Sequence, residues 1–136
     1  MKRLSIFLIF GLVACDTTGE GGFITSGGIR ANPVSADTFE VYVRPGNEIN
    51  QFWCGGGEYA SRELGAPSNA RLYVVGGAGS GFTVNSPNTI QFSLLPPGQA
   101  SGASGRVATW GPDLGEEEFV GDARRYCWEG FDRFFP

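Results

Sequence analysis

The segment DTFEVYVR, residues 37–44, constrains the fold more than any other part of the chain because its apolar and polar residues alternate strictly. Phe39, Val41 and Val43 fall on one face of an extended chain, and the residues between them fall on the other. Such alternation is typical of a strand with one buried face. The segment therefore predicts a half-buried strand, whose backbone groups need neighbouring strands to pair with.

Two further segments predict strands, and two predict helices. Residues 71–75, RLYVV, and residues 89–95, TIQFSLL, are rich in β-branched and apolar side chains. Residues 50–64 repeat apolar side chains at near-helical spacing, and Gly65 follows at the position of a C-cap. Residues 116–128 have helical periodicity, with acids at the start and arginines near the end. Together these elements predict a small single α+β domain with an antiparallel sheet and two helices.

Three glycine-rich stretches interrupt this pattern. Gly55 to Gly57 leave two interpretations open: the missing side chains allow another backbone to approach a helix, or the helix begins only near Glu58. Residues 76–88, GGAGSGFTVNSPN, predict a mobile loop between strands, since their glycine spacing does not match a dinucleotide-binding fingerprint and no helix follows. Residues 98–105, GQASGASG, predict a flexible connector.

The N-terminus has the layout of a secretory signal peptide. Lys2 and Arg3 precede an apolar run from Leu4 to Val13. This run of ten residues is half the length of about 20 that a membrane-spanning helix needs. The leader therefore predicts export and not a transmembrane segment.

The end of the leader, residues 12–15 with the sequence LVAC, resembles the lipobox of bacterial lipoproteins. The resemblance implies cleavage before Cys15, a diacylglyceryl group on its sulfur, and acylation of the new amino group, for example by palmitate. It also implies a place in the bacterial cell envelope, anchored by lipid and facing the periplasm. Asp16 favours the inner membrane in some lineages, so the choice of membrane stays open. An ordinary cleaved signal is the alternative.

The resemblance also bears on the other cysteines. If Cys15 is acylated, Cys54 and Cys127 remain as a pair in an oxidising compartment, which implies a disulfide. They lie 73 residues apart in the sequence, and closing such a loop stabilises a fold by about 4 kcal/mol in loop-entropy models. A reactive thiol at Cys54 is the alternative, although no lysine or histidine stands near it in the sequence.

These segments predict three parts of the chain. Residues 1–14 are the signal peptide, residues 15–33 are the lipidated cysteine and a flexible tether, and residues 34–136 are the α+β domain. A strand around Phe23 and Ile24 is the alternative for the end of the tether.

Composition excludes several functions. Residues 15–136 keep eight arginines against 14 acids, because Lys2 and Arg3 lie in the leader, and this balance argues against nucleic-acid binding. The chain has no histidine, and Lys2 is its only lysine. Histidine-based nucleophilic catalysis, histidine-ligated zinc and Schiff-base chemistry are therefore excluded. We predict no nucleotide, metal or other cofactor.

The remaining candidates for a site are weak patterns. The acids Glu116 to Glu118 point in different directions along a helix, so they predict a solvated helix start and not a metal site. Carboxylate-dependent hydrolysis needs two facing acids, and the sequence singles out no pair among Glu58, Glu63, Asp113 and Asp132.

The aromatic residues give further expectations. Trp53 and Trp128 flank the two cysteines and predict a core around the disulfide, with stacking on sugars as the alternative, for which Trp110 is also available. Phe82 and Val84 are the candidate contacts of the glycine-rich loop, unless they fold inward. We therefore expect a lipid-anchored periplasmic accessory domain, more consistent with binding an envelope protein or polymer than with catalysis. A carboxylate-dependent envelope hydrolase is the alternative.

Overall fold

The computed structural model describes residues 23–25, 28–46, 49–79 and 81–129. In chain order their elements are β1 (Phe23–Ile24), β2 (Arg30–Pro33), β3 (Thr38–Tyr42), α1 (Asn50–Arg62), β4 (Arg71–Gly79), β5 (Thr89–Ser93), β6 (Glu117–Phe119) and α2 (Val120–Glu129). The strands form one antiparallel sheet in the order β1-β2-β3-β5-β4-β6. The predicted α+β domain with an antiparallel sheet, two helices and one disulfide is confirmed. Cys15 and the leader lie outside the described residues.

Alternation along the strands gives the sheet two different faces. Phe39 and Val41 of β3 pair with Phe92 and Ile90 of β5, and all four side chains are buried in the core. Phe39, Val41 and Phe92 lie against α1. The opposite face, which we call the outer face, is also buried in its centre, but its side chains there are polar. They are Thr38, Glu40, Thr89, Gln91 and Ser93, each at most 7% exposed. This polar layer is covered by the loops at residues 81–88 and 98–106.

The three consecutive glycines lie inside α1, and each faces a different neighbour. A Cβ at Gly55 would lie 2.7 Å from Ile29 and Val41, and one at Gly57 would lie 2.8 Å from the backbone nitrogen of Arg124 in α2. The interpretation of a close approach is therefore confirmed, and the helix begins at Asn50 rather than near Glu58. The close packing of the helices agrees with the disulfide between Cys54 and Cys127, whose Cα atoms are 4.9 Å apart.

Several predicted boundaries are wrong. Part of the expected tether forms β1 and β2, so the sheet starts before residue 34 and the alternative of a strand at Phe23 and Ile24 is confirmed. Residues 76–79, expected in a loop, belong to β4. Their small size lets residues 104–108 approach: Gly77 N–H donates to the Arg106 carbonyl at 2.8 Å, and a Cβ at Gly79 would overlap the Arg106 side chain. Residues 117–119 form β6, so α2 begins at Val120.

The tryptophans are only partly as expected. Trp53 is 3% exposed and packs against Phe92, with ring centres 5.2 Å apart, as predicted for a core residue. Trp128 is 55% exposed, and its contact is the Arg124 guanidinium 6.0 Å from the ring centre, so its predicted place in the core is wrong.

In the described ranges, no helix has both the length and the apolar character to cross a membrane.

Candidate functional site

A buried carboxylate holds the loop that follows β4. Glu40 lies in the centre of β3 on the outer face and is 1% exposed. Its Oε2 accepts a hydrogen bond from the Phe82 N–H at 2.8 Å. Its Oε1 accepts one from the Thr83 N–H at 2.9 Å and one from the Thr83 hydroxyl at 2.7 Å. All three donors come from one loop, residues 81–88, which we call the Phe82 loop.

The Phe82 loop is also fixed at other points. Within it, the Gly81 N–H donates to the Ser86 carbonyl at 2.9 Å. From neighbouring strands, the Asn32 side-chain amide donates to the Thr83 hydroxyl oxygen at 3.2 Å, and the Val43 N–H donates to the Asn88 carbonyl at 3.2 Å. A Cβ at Gly81 would overlap the Val84 carbonyl oxygen, so this turn needs glycine. The loop backbone therefore has a defined, hydrogen-bonded conformation.

This arrangement directs one large apolar side chain to solvent. Phe82 is 75% exposed although its own N–H is bound to Glu40. Val84 is partly buried. The alternative that both side chains fold inward is therefore wrong for Phe82, while Val84 offers only part of its surface. Sequence reasoning identified Phe82 but missed Glu40, because the two lie 42 residues apart and alternation alone makes Glu40 an ordinary outer-face residue.

A second feature is a hollow between β6 and α2, with a volume of about 470 Å³. Its lining is mostly charged: Arg71, Glu117, Glu118, Phe119, Asp122, Arg125, Tyr126 and Glu129. Two ion pairs lie in it, Arg71 with Glu117 and Arg125 with Asp122 at 3.8 Å. The hollow is thus an acidic surface partly neutralised by arginine.

Glu118 is the unusual group of this hollow. One carboxylate oxygen accepts a hydrogen bond from the Tyr126 hydroxyl at 2.9 Å, and the other is buried without a partner among the described residues. The pKa of Glu118 is raised, chiefly because the carboxyl is buried. The hydrogen bond from Tyr126 lowers this pKa, while the charges of Glu116, Asp122 and Glu129 raise it. Chiefly because of the bond to Glu118, the pKa of Tyr126 is raised to about 12. Sequence reasoning missed this pair because it placed Glu118 in a helix, whereas residues 117–119 form a strand.

The acids considered from the sequence do not form a facing pair. Glu58 is buried between the helices, where it contacts Arg62 at 3.6 Å and Arg124 at 3.4 Å. Glu63 and Asp113 are exposed at separate places, and Asp132 lies outside the described residues. Within residues 23–129, as far as they are described, no three acids or cysteines are grouped to hold a metal ion.

Comparison with protein-family models, with curated proteins and with solved structures found no match.

Proposed function

We propose that this chain is a lipid-anchored accessory domain of the bacterial envelope, facing the periplasm, and that it binds a component of that envelope through the Phe82 loop. The observation that carries this proposal is the set of three hydrogen bonds from the loop to the buried Glu40 carboxylate. They fix the backbone at Phe82 and Thr83 while Phe82 stays 75% exposed.

The energetics favour recognition over a purely structural role for Phe82. Burying a phenylalanine side chain stabilises a fold by about 1.5–3 kcal/mol. Most of this stabilisation is absent at Phe82 because the residue is largely exposed. A fixed loop loses less conformational entropy on binding than a free one, so it binds more tightly for the same contacts. Aromatic side chains, phenylalanine among them, are enriched at the core of protein interfaces. An exposed ring on an ordered backbone is therefore suited to contact a partner.

The anchor is supported by the lipobox resemblance at residues 12–15. Two or three acyl chains on Cys15 hold a domain of this size stably at a membrane, whereas one chain does not. Mass spectrometry of the mature N-terminal peptide tests this part. We expect an acylated Cys15, and we expect Cys15→Ser to abolish the modification and the membrane-bound mature form. An unmodified cysteine, or an unchanged membrane-bound product after substitution, would contradict the anchor.

Phe82→Ala tests the binding surface. We expect an unchanged melting temperature and loss of the envelope component that is captured by crosslinking before the membranes are solubilised. Phe119→Ala is the matched control, because Phe119 is 42% exposed on β6 at the other edge of the sheet. Equal capture by both variants, or a large fall in thermal stability with Phe82→Ala, would refute the role of the loop.

The hydrolase alternative has less support. Among the described residues, Glu118 is the carboxyl with a raised pKa in a hollow, and its second carboxylate oxygen is buried below the surface, where a substrate does not reach it. The ion pairs of Glu117 and Asp122 engage two of the other acids in that hollow.

A further inference from the structure

The outer face carries an exposed basic and apolar surface beside the Phe82 loop. Ile24 of β1 pairs with Arg30 of β2, and Arg30 pairs with Tyr42 of β3, so these three side chains share one face. Arg44 follows Tyr42 by two residues and is exposed. Glu40, which holds the Phe82 loop, precedes Tyr42 by two residues on the same face. We call Ile24, Arg30, Tyr42, Arg44 and Phe82 the basic face.

The arginines of the basic face have no carboxylate partner in the described part of the chain. Arg62, Arg71, Arg124 and Arg125 are each ion-paired, and Arg106 donates to the Ala78 carbonyl at 3.2 Å. Arg30 and Arg44 have no such ion pair among the described residues, and both are exposed. Ile24, which pairs with Arg30, is 53% exposed, and Phe82, whose N–H is bound to Glu40, is 75% exposed. Within the described residues, this surface therefore combines arginines that have no ion pair with exposed apolar side chains.

The charge of the domain is distributed unevenly across the sheet. β1 is one edge of the sheet and β6 is the other, about 24 Å away for five strand spacings. Acids gather at the β6 edge, in Glu117, Glu118, Asp122 and Glu129. The β1 side of the molecule therefore repels an anionic surface less than the β6 side does, even though acids outnumber bases overall.

The position of Cys15 points to the same side. Eight residues lead from Cys15 to Phe23, the first residue of β1, and such a segment spans at most about 29 Å. A lipid on Cys15 therefore keeps β1 within this distance of the bilayer. Exposed isoleucine and phenylalanine flanked by arginine suit the interface of an anionic membrane, where apolar side chains insert and each basic residue adds about fivefold to the affinity.

We infer that the partner of the Phe82 loop is the anionic bilayer surface itself: Phe82 and Ile24 insert at the interface, and Arg30 and Arg44 bind lipid phosphates. This inference rests on the lipid anchor of the proposed function. It orients the domain with the basic face on the membrane and the acidic β6–α2 hollow towards the periplasm.

Tryptophan quenching by brominated lipid tests the inference on the full acylated protein in vesicles. Phe82→Trp adds an emission that is measured as the difference from the unchanged chain. We expect this emission to be quenched in vesicles containing phosphatidylglycerol and much less in pure phosphatidylcholine. Phe119→Trp is the matched control at the opposite edge and is expected to escape quenching. Combining Phe82→Trp with Arg30→Gln and Arg44→Gln should lower the ratio of membrane-bound to free loop about 25-fold.

The possible failures separate the two proposals. Equal quenching at positions 82 and 119, or quenching that does not depend on phosphatidylglycerol or on the two arginines, overturns the inference. Absent quenching at position 82, together with an acylated Cys15 and loss of a captured partner in Phe82→Ala, also overturns it but leaves the proposed binding function standing, with a protein or polymer as the partner. An unmodified Cys15 overturns the anchor and the inference together.

Discussion

The carboxylate of Glu40 provides the sharpest perturbation, because Glu40→Gln keeps its size and removes its charge. Three donors face this carboxylate, two at Oε1 from Thr83 and one at Oε2 from Phe82. A glutamine has only one carbonyl oxygen, so it can accept either from the two donors of Thr83 or from the Phe82 N–H, but not from both. If it keeps the two bonds from Thr83, its NH₂ group faces the Phe82 N–H, and two donors oppose each other.

The expected loss follows from these contacts. Hydrogen bonds to a charged group are worth about 1.5–3 kcal/mol and neutral ones about 1 kcal/mol. Losing one charged bond and weakening two others costs about 4 kcal/mol, partly offset because a neutral amide is easier to bury than a charge. We therefore expect the free energy of unfolding to fall by about 2–3 kcal/mol, a large share of the roughly 5–15 kcal/mol of a typical domain.

Two assays check this prediction. Urea denaturation measures the loss of stability, and amide hydrogen exchange at Phe82 and Thr83 measures release of the loop. Glu63→Gln is the control, since it removes the same charge from an exposed position after α1. Unchanged exchange at Phe82 and Thr83, or equal stability of the two variants, would refute the reasoning that Glu40 holds the loop.

Three further predictions concern the helices and the hollow. Gly57→Ala should destabilise the fold by about 1–3 kcal/mol in thermal denaturation despite its better helix propensity, because its Cβ would meet the backbone of Arg124 at 2.8 Å, whereas Gly98→Ala, with no atom within 4 Å, should be neutral. Replacing both Cys54 and Cys127 by serine should cost about 4 kcal/mol in urea denaturation, and a loss below about 1 kcal/mol would contradict the predicted contribution of the disulfide. The raised pKa of Glu118 means that the folded state binds its proton more tightly than the unfolded state, so this contribution to stability is complete below the ordinary value of 4.5 and is lost as the pH rises through the folded pKa. The fall in stability with rising pH should be absent in Glu118→Gln. It should extend to higher pH in Tyr126→Phe, because this substitution removes the hydrogen bond that lowers the pKa of Glu118. Identical profiles of stability against pH for all three proteins would contradict this role of Glu118.

Local signals in the sequence predicted the central elements. The alternation around Phe39 and Val41 predicted β3, and the apolar spacing from Phe52 to Ala60 predicted α1. These signals are reliable because each depends only on neighbours along the chain and on one buried face.

The elements that the sequence did not predict depend on distant contacts. Residues 76–79 form a strand because residues 104–108 pack against their missing side chains, which a glycine-rich sequence alone does not reveal. β1 and β6 contain two and three residues, too few for any periodicity. The exposure of Phe82 depends on Glu40, 42 residues earlier, so the candidate residue was visible in the sequence while its support was not.

Photo-crosslinking from position 82 in living cells tests directly whether the Phe82 loop is the binding surface. A photoreactive phenylalanine analogue replaces Phe82 in the full chain, and the same analogue at Phe119 serves as the control. We expect an adduct from position 82, with lipid if the basic face rests on the bilayer or with a protein or polymer if it does not, and none from position 119. Absence of any adduct from position 82, or equal adducts from both positions, would contradict the claim that the Phe82 loop is the binding surface.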